Sequence, residues 1–141
     1  MITLKSFILP VFIVVLACCS GNRQDSPDSE EPGDLTTEIS FEKTEHDLGR
    51  ILQGETVGYT FRFTNVGESA LMILEARASC GCTVPKYSRK PIPPGESGVI
   101  EVVFDSSGRM GQQNKTVSIR TNAMESNIQL TIKADIYQAN T

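Results

Sequence analysis

From residue 57 onward the chain is dominated by alternating apolar and polar positions. Val57, Tyr59, Phe61 and Phe63 alternate with Gly58, Thr60, Arg62 and Thr64, the two-residue period of a strand with one buried face. The same period returns at Ile100, Val102 and Phe104, at Val117 and Ile119, and at Ile128, Leu130, Ile132, Ala134 and Ile136. Residues 70–78 predict another strand, apolar on both faces at Leu71-Met72-Ile73-Leu74, which points to a central place in a sheet. Residues 40–43 and 50–52 supply shorter pieces. Turn chemistry separates these runs at Asn65-Val66-Gly67-Glu68, at Pro93-Pro94-Gly95-Glu96, and over residues 105–111 and 122–127. No segment sustains a helical period. About seven short strands in about 100 residues predict an all-β domain, an Ig-like β-sandwich. The chain has no Trp, so the likeness to antibody domains is one of architecture and not of their Cys–Trp–Cys core.

The N-terminus is a different material. Lys5 is the single charge before the unbroken apolar run FILPVFIVVL at residues 7–16, the pattern of a secretory signal. The run is too short to cross a bilayer as a helix. Val15-Leu16-Ala17-Cys18 resembles the bacterial lipobox, which implies cleavage after residue 17 and a lipid (palmitate-type acyl chains plus diacylglycerol) on Cys18. Cys19 suits that role less, because Cys18 and not a small residue precedes it. Several acyl chains, at about 0.8 kcal/mol per buried methylene, would hold the protein on a membrane.

Charge sharpens the division. The formal net charge is −4, and residues 20–37 alone carry Arg23 against Asp25, Asp28, Glu30, Glu31 and Asp34. That Ser-, Pro- and Gly-rich stretch has one aliphatic residue, Leu35, and reads as a disordered tether. The organisation expected is a signal at 1–17, a lipidated Cys18 and tether over 18–37, and the folded domain at 38–141. The domain itself is nearly neutral and has no basic stripe, which argues against a nucleic-acid partner. The expected location is the bacterial cell envelope, anchored by lipid, on the outer membrane facing the periplasm.

Read in order, five stretches resemble a known bacterial family, the domain of unknown function 1573. They are Glu45-His46-Asp47-Leu48-Gly49, residues 59–67 (YTFRFTNVG), residues 79–85 (SCGCTVP), residues 91–96 (PIPPGE) and residues 98–104 (GVIEVVF). Most members have Phe where this chain has Leu48. The resemblance covers nearly the whole folded part, and it implies an Ig-like sandwich related to cilia-associated and major-sperm-protein-like domains. Those are mostly protein-binding scaffolds, and the family has no agreed activity.

Cys80-Gly81-Cys82 is the place where the sequence offers chemistry. On a regular strand two such cysteines face the same way with Cα atoms about 6.6–6.8 Å apart, at the long end of the disulfide range. Gly81 permits a tighter turn that shortens the distance. Three readings stay open: a structural pair, packed or bridged; a thiol–disulfide couple poised by Lys86, Arg89 and Lys90; and a two-thiolate site for Cu(I). Zinc is a weak fit, since a structural site wants four ligands and the chain has one His. His46 beside Asp47 is not the arrangement of a Cys–His nucleophile; a local turn through Asp47 and Gly49 is expected instead. Lys86, Tyr87, Arg89 and Lys90 lie in a Pro-bounded segment that reads as an exposed loop or edge. They form the candidate docking site for a partner. The combined expectation is a non-enzymatic, envelope-anchored binding or assembly module with an unidentified protein partner, acting by strand addition at an exposed edge. The alternative is thiol redox or Cu(I) handling at Cys80 and Cys82.

Overall fold

The computed structural model describes residues 37–139. The expected signal, Cys18 and all of the tether but Thr37 lie outside the described residues. Eight strands form two four-stranded sheets, and no helix occurs among the described residues. In chain order they are β1 (Ile39–Phe41), β2 (Glu45–Leu52), β3 (Thr56–Asn65), β4 (Ile73–Ala78), β5 (Thr83–Tyr87), β6 (Ser97–Asp105), β7 (Gly111–Thr121) and β8 (Asn127–Tyr137). One sheet has the order β1-β3-β6-β5 and the other β2-β8-β7-β4. All pairings are antiparallel except β2 with β8. This is the all-β Ig-like sandwich that the alternation predicts.

The inward residues are those of the two-residue period. Phe61 and Phe63 from β3, Ile100, Val102 and Phe104 from β6, Val117 and Ile119 from β7, and Leu130, Ile132 and Ile136 from β8 are buried between the sheets. Each such side chain contributes roughly 1.5–3 kcal/mol by leaving water. A one-residue slip of any of these strands would turn its whole set outward, so the pattern also fixes the register.

Three expectations are corrected. The strand expected over residues 70–78 begins at Ile73 and lies at the edge of its sheet, not at its centre. Its two-faced apolarity has another cause: Leu71 is fully buried before the strand and bridges Ile92, while Leu74 is left 39% exposed. The early pieces are β1 at Ile39–Phe41 and one continuous β2, in which Asp47–Arg50 forms a bulge and not a turn between two strands. There Asp47 Oδ1 accepts from the Gly49 amide at 2.8 Å, and Gly49 adopts a φ of 71°. Residues 83–87 form β5 around Pro85 at the edge of its sheet, one of the two forms, loop or edge, expected of the Pro-bounded segment. Thr37, at the end of the expected tether, is buried and bridges Ala123, so the folded part includes it.

The sandwich has two distinct ends. At the upper end lie the connections β2–β3, β4–β5 and β6–β7. At the lower end lie β3–β4, β5–β6, β7–β8 and the entering Thr37. The ten residues of β3 separate them, about 30 Å at the rise of a strand.

Candidate functional site

Cys80 and Cys82 sit in the β4–β5 connection at the upper end, not on a regular strand, and they are joined by a disulfide. The turn, closed by the Thr83 amide donating to Cys80 O at 3.3 Å, brings their Cα atoms to 5.3 Å, inside the bridging range. Gly81 is exposed at the tip, while Cys82 packs against the core. The Thr83 hydroxyl lies 3.7 Å from the Cys80 sulfur and 3.8 Å from that of Cys82. Cys82 O accepts from the Asp105 amide at 2.9 Å, and the Ser79 amide donates to Thr116 O at 2.8 Å, so the turn is tied to both sheets. The bridge joins residues two apart. For such a loop the chain-entropy relation gives about 1.6 kcal/mol, against ~3 for a loop of fifteen residues. As a staple it is weak.

The cations expected to poise this pair are elsewhere. Lys86 is four residues from Cys82 along β5, about 13 Å away at the rise of a strand, and pairs with Glu101 at 3.6 Å. Arg89 lies over the Tyr87 ring at 6.0 Å. Lys86, Tyr87, Arg89 and Lys90 therefore lie toward and beyond the lower end of β5, while the disulfide stands at the upper end. Among the described residues no cluster of three His, Cys, Asp or Glu side chains could hold a metal ion.

His46 is held locally. Its ring stacks on Tyr59 with centroids 3.5 Å apart, and Lys43 Nζ lies 3.1 Å from Nδ1 and 4.7 Å from the centre of the Tyr59 ring. Burial, then the Lys43 ammonium, hold its pKa below the usual imidazole value, with Asp47 pulling the other way. His46 lies on β2, three strands across its sheet from β4, so it forms no couple with the cysteines.

The lower end contains a cleft that sequence reasoning located in part. Its apolar floor is Phe63, Tyr87, Ile92 and Gly98, and Lys86, Lys90, Glu96 and Glu101 stand around it. Gly98 is required: a Cβ there would collide with the Phe63 ring and come within 2.8 Å of Ile92 Cδ1. Behind the cleft, Asn65 is fully buried and its side chain is fully used. Oδ1 accepts from Thr37 Oγ1 at 2.9 Å and from the Gly67 amide at 3.0 Å. Nδ2 donates to Ser69 O at 2.8 Å and to Ile92 O at 2.9 Å. Its backbone bonds Glu96 O and the Gly95 amide. Asn65 thus fixes the loop that carries Ile92 and Glu96. In sequence it looked like an ordinary turn residue, and only the PIPPGE stretch hinted at a fixed loop.

A second, polar hollow lies on the outer face of the other sheet, where Asp47, Arg50, Gln112, Asn114, Lys133 and Asp135 meet. Its charges are largely paired, Arg50 with Asp135 at 3.9 Å and Lys133 with Glu45 at 2.6 Å.

Among solved structures, the fold is similar to a protein of unknown function from Porphyromonas gingivalis W83, at a TM-score of 0.64 and 21% identity, covering 72% of this chain and 48% of that one. It is also similar to the secreted serine protease VesC of Vibrio cholerae, at 0.58 and 15%, covering 77% and 25%. A third is the ASH/PapD-like domain 7 of human CEP192, at 0.57 and 10%, covering 74% and 89%. At these identities the likeness is one of fold. The chain spans about half of the Porphyromonas protein and a quarter of VesC. No curated protein sequence matches the chain. The profile of the protein family of unknown function DUF1573 matches residues 39–136, the two sheets almost end to end, and the chain belongs to that family.

Proposed function

We propose that this protein is a lipid-anchored, non-enzymatic binding and assembly module of the bacterial cell envelope, held on the outer membrane facing the periplasm, and that it docks a protein partner at the lower end of the β1-β3-β6-β5 sheet. The observation that carries the reading is the cleft beside β5. It joins an apolar floor (Phe63, Ile92, Gly98) to the cations Lys86 and Lys90, and a few placed polar groups around an apolar surface are what a specific docking site needs. The anchor rests on the apolar run and the Ala17-Cys18 pair. Metabolic labelling with an alkynyl palmitate tests the anchor. The Cys18→Ala protein loses the label and leaves the membrane fraction, whereas label retained in that variant contradicts assignment to Cys18. Photoreactive residues in place of Val99, beside the cleft, and of Asn114, on the opposite sheet, test the module in growing cells. A light-dependent adduct with one discrete partner is expected at Val99; an adduct at Asn114 alone contradicts docking at this sheet, and none at both removes the module reading.

The disulfide favours a second reading, thiol–disulfide exchange. The bridge stabilises its own short turn little, and the tip of that turn is exposed at the end far from Thr37. In this chemistry a partner dithiol attacks one sulfur and forms a mixed disulfide. Its second thiolate then resolves that bond, leaving Cys80 and Cys82 as two thiols and the partner oxidised by two electrons. The reduced pair would supply two thiolates, the ligand type that selects Cu(I). Equilibration with glutathione, followed by intact mass, tests it: a bridge that stays oxidised in excess reduced glutathione assigns the pair to structure alone.

A further inference from the structure

The hydrogen-bond parity of β6 reveals an unfilled lane beside β5. The Asp105 amide donates to Cys82 O, and the register of β5 on β6 runs Val84 to Val103 and Lys86 to Glu101. The backbone groups of Asp105, Val103 and Glu101 therefore face β5, and by the two-residue alternation those of Val99 and Ser97 face the same side. The opposite parity serves β3: the Asn65 amide donates to Glu96 O and the Ser106 amide to Glu55 O, so Gly98 and Ile100 are turned to Phe63 and Phe61. β5 ends at Tyr87, opposite Ile100, and residues 88–92 leave the sheet toward the Leu71–Ile92 bridge. Among the described residues no hydrogen bond reaches the amides of Val99 or Ser97. β6 thus keeps the Val99 and Ser97 amides unpaired beside the cleft.

The rest of the β5 edge is closed to pairing. The outward positions of β5 are Thr83, Pro85 and Tyr87. Proline has no N–H, and the Thr83 amide is taken by Cys80 O, which is how natural sheets protect an edge. Pairing is blocked along most of β5 and left open at Ser97–Val99. Val99 is 45% exposed on the outer face, and Gly98 on the inner face is packed against Phe63 and Ile92.

We infer that this notch accepts an extended segment of a partner protein as a short strand in the lane that β5 vacates, with an apolar side chain seated against Ile92 and Tyr87 and an acidic side chain meeting the basic rim. The inference rests on the binding-module reading and specifies its site. The acidic preference follows from charge. Lys86 is matched by Glu101, whereas Arg89 and Lys90 have no ion pair among the described residues, and Glu96 is the one further carboxylate lining the cleft. Geometry fixes the pattern of the guest. The residue opposite Gly98 points its side chain inward and is apolar. Its neighbours point outward and turn their N–H and C=O to Val99 and Ser97.

The test uses an acetylated, amidated peptide of alternating Val and Glu, titrated into the 15N-labelled mature chain carrying Cys18→Ser. Binding at millimolar peptide is expected to move the Ser97, Val99 and Lys90 amide signals and to slow hydrogen exchange at Val99. N-methylation of the Glu residues removes the donors that face β6 and weakens binding by roughly 2–12-fold per amide, as for a lost hydrogen bond. N-methylation of the Val residues leaves binding unchanged, and a Val–Lys peptide binds less well. These arms leave the protein untouched, so no folding defect can mimic them. Equal sensitivity to both methylations, or no binding at millimolar peptide, overturns the inference. Signal changes confined to Arg50 and Asn114 overturn the notch while leaving the module reading in place. Absence of a cellular adduct at both Val99 and Asn114 removes the module reading itself.

Discussion

Replacing Asn65 by Ala tests how the lower end of the sandwich is held. The side chain is fully buried and makes four hydrogen bonds, accepting from Thr37 and Gly67 and donating to Ser69 and Ile92. Alanine leaves two donors and the Ser69 carbonyl without partners and takes one of two donors from Ile92 O, which keeps the Leu71 amide. At about 1 kcal/mol net for each bond the loss is about 4 kcal/mol, a large part of the 5–15 kcal/mol that holds a typical domain together. For a domain of about 100 residues that lowers the melting temperature by roughly 16–32 °C. Asn65→Asp keeps the acceptor for Thr37 and Gly67 but sets a carboxylate against the carbonyls of Ser69 and Ile92, so it should be at least as harmful. Urea unfolding of the protein, followed by far-ultraviolet circular dichroism, measures both, with an unchanged slope confirming a shift in stability alone. A loss below about 1 kcal/mol for Asn65→Ala would refute the reasoning, because it would mean that the network is worth no more than a single typical hydrogen bond.

Other consequences follow from the same contacts. Gly98→Ala drives a Cβ into Phe63 and Ile92 and should cost about 1–3 kcal/mol as overpacking, with loss of peptide binding at the notch read in the same titration. His46 has a folded pKa below its unfolded value. Its stabilising effect is therefore complete above about pH 6.5 and is lost as pH falls from there through the folded pKa. His46→Gln should flatten that slope in pH-dependent urea unfolding, and an identical slope would contradict the assignment. Replacing Cys80 and Cys82 together by Ser should cost no more than about 2 kcal/mol, given the short loop. Intact mass of the parent should rise by about two units on reduction. Lys86→Ala breaks an ion pair whose side chains are 62% and 46% exposed, and thermal melting should barely register it.

The sandwich was legible because its evidence is periodic. Val57 to Phe63, Ile100 to Phe104 and Ile128 to Ile136 each repeat the two-residue signal several times, so pattern alone assigns their faces. Positions that rest on tertiary contacts were not legible. Leu71-Met72-Ile73-Leu74 looked like a central strand because burial by a bridge to Ile92 and burial within a sheet leave the same composition. Pro85 fitted a loop and an edge equally, and β5 is an edge strand that accepts it because its nitrogen faces away from β6. The link between Cys80, Cys82 and the basic cluster was inferred from closeness in sequence, and five residues of extended β5 carry the two apart. Asn65 has the composition of a turn and the role of a buried hub, a difference set by residues at positions 37, 67, 69 and 92. The open lane at Ser97–Val99 could not be read at all, since it depends on where a neighbouring strand stops.

That lane is the feature on which the docking account depends, and amide hydrogen exchange of the unliganded protein measures it directly. The amides of Gly98 and Ile100, turned to β3, should be protected to the level of global unfolding. Those of Ser97 and Val99, turned to the vacated lane, should exchange at rates close to those of exposed loops. Protection at Val99 equal to that at Ile100 would show the edge already filled, and the docking account would fail.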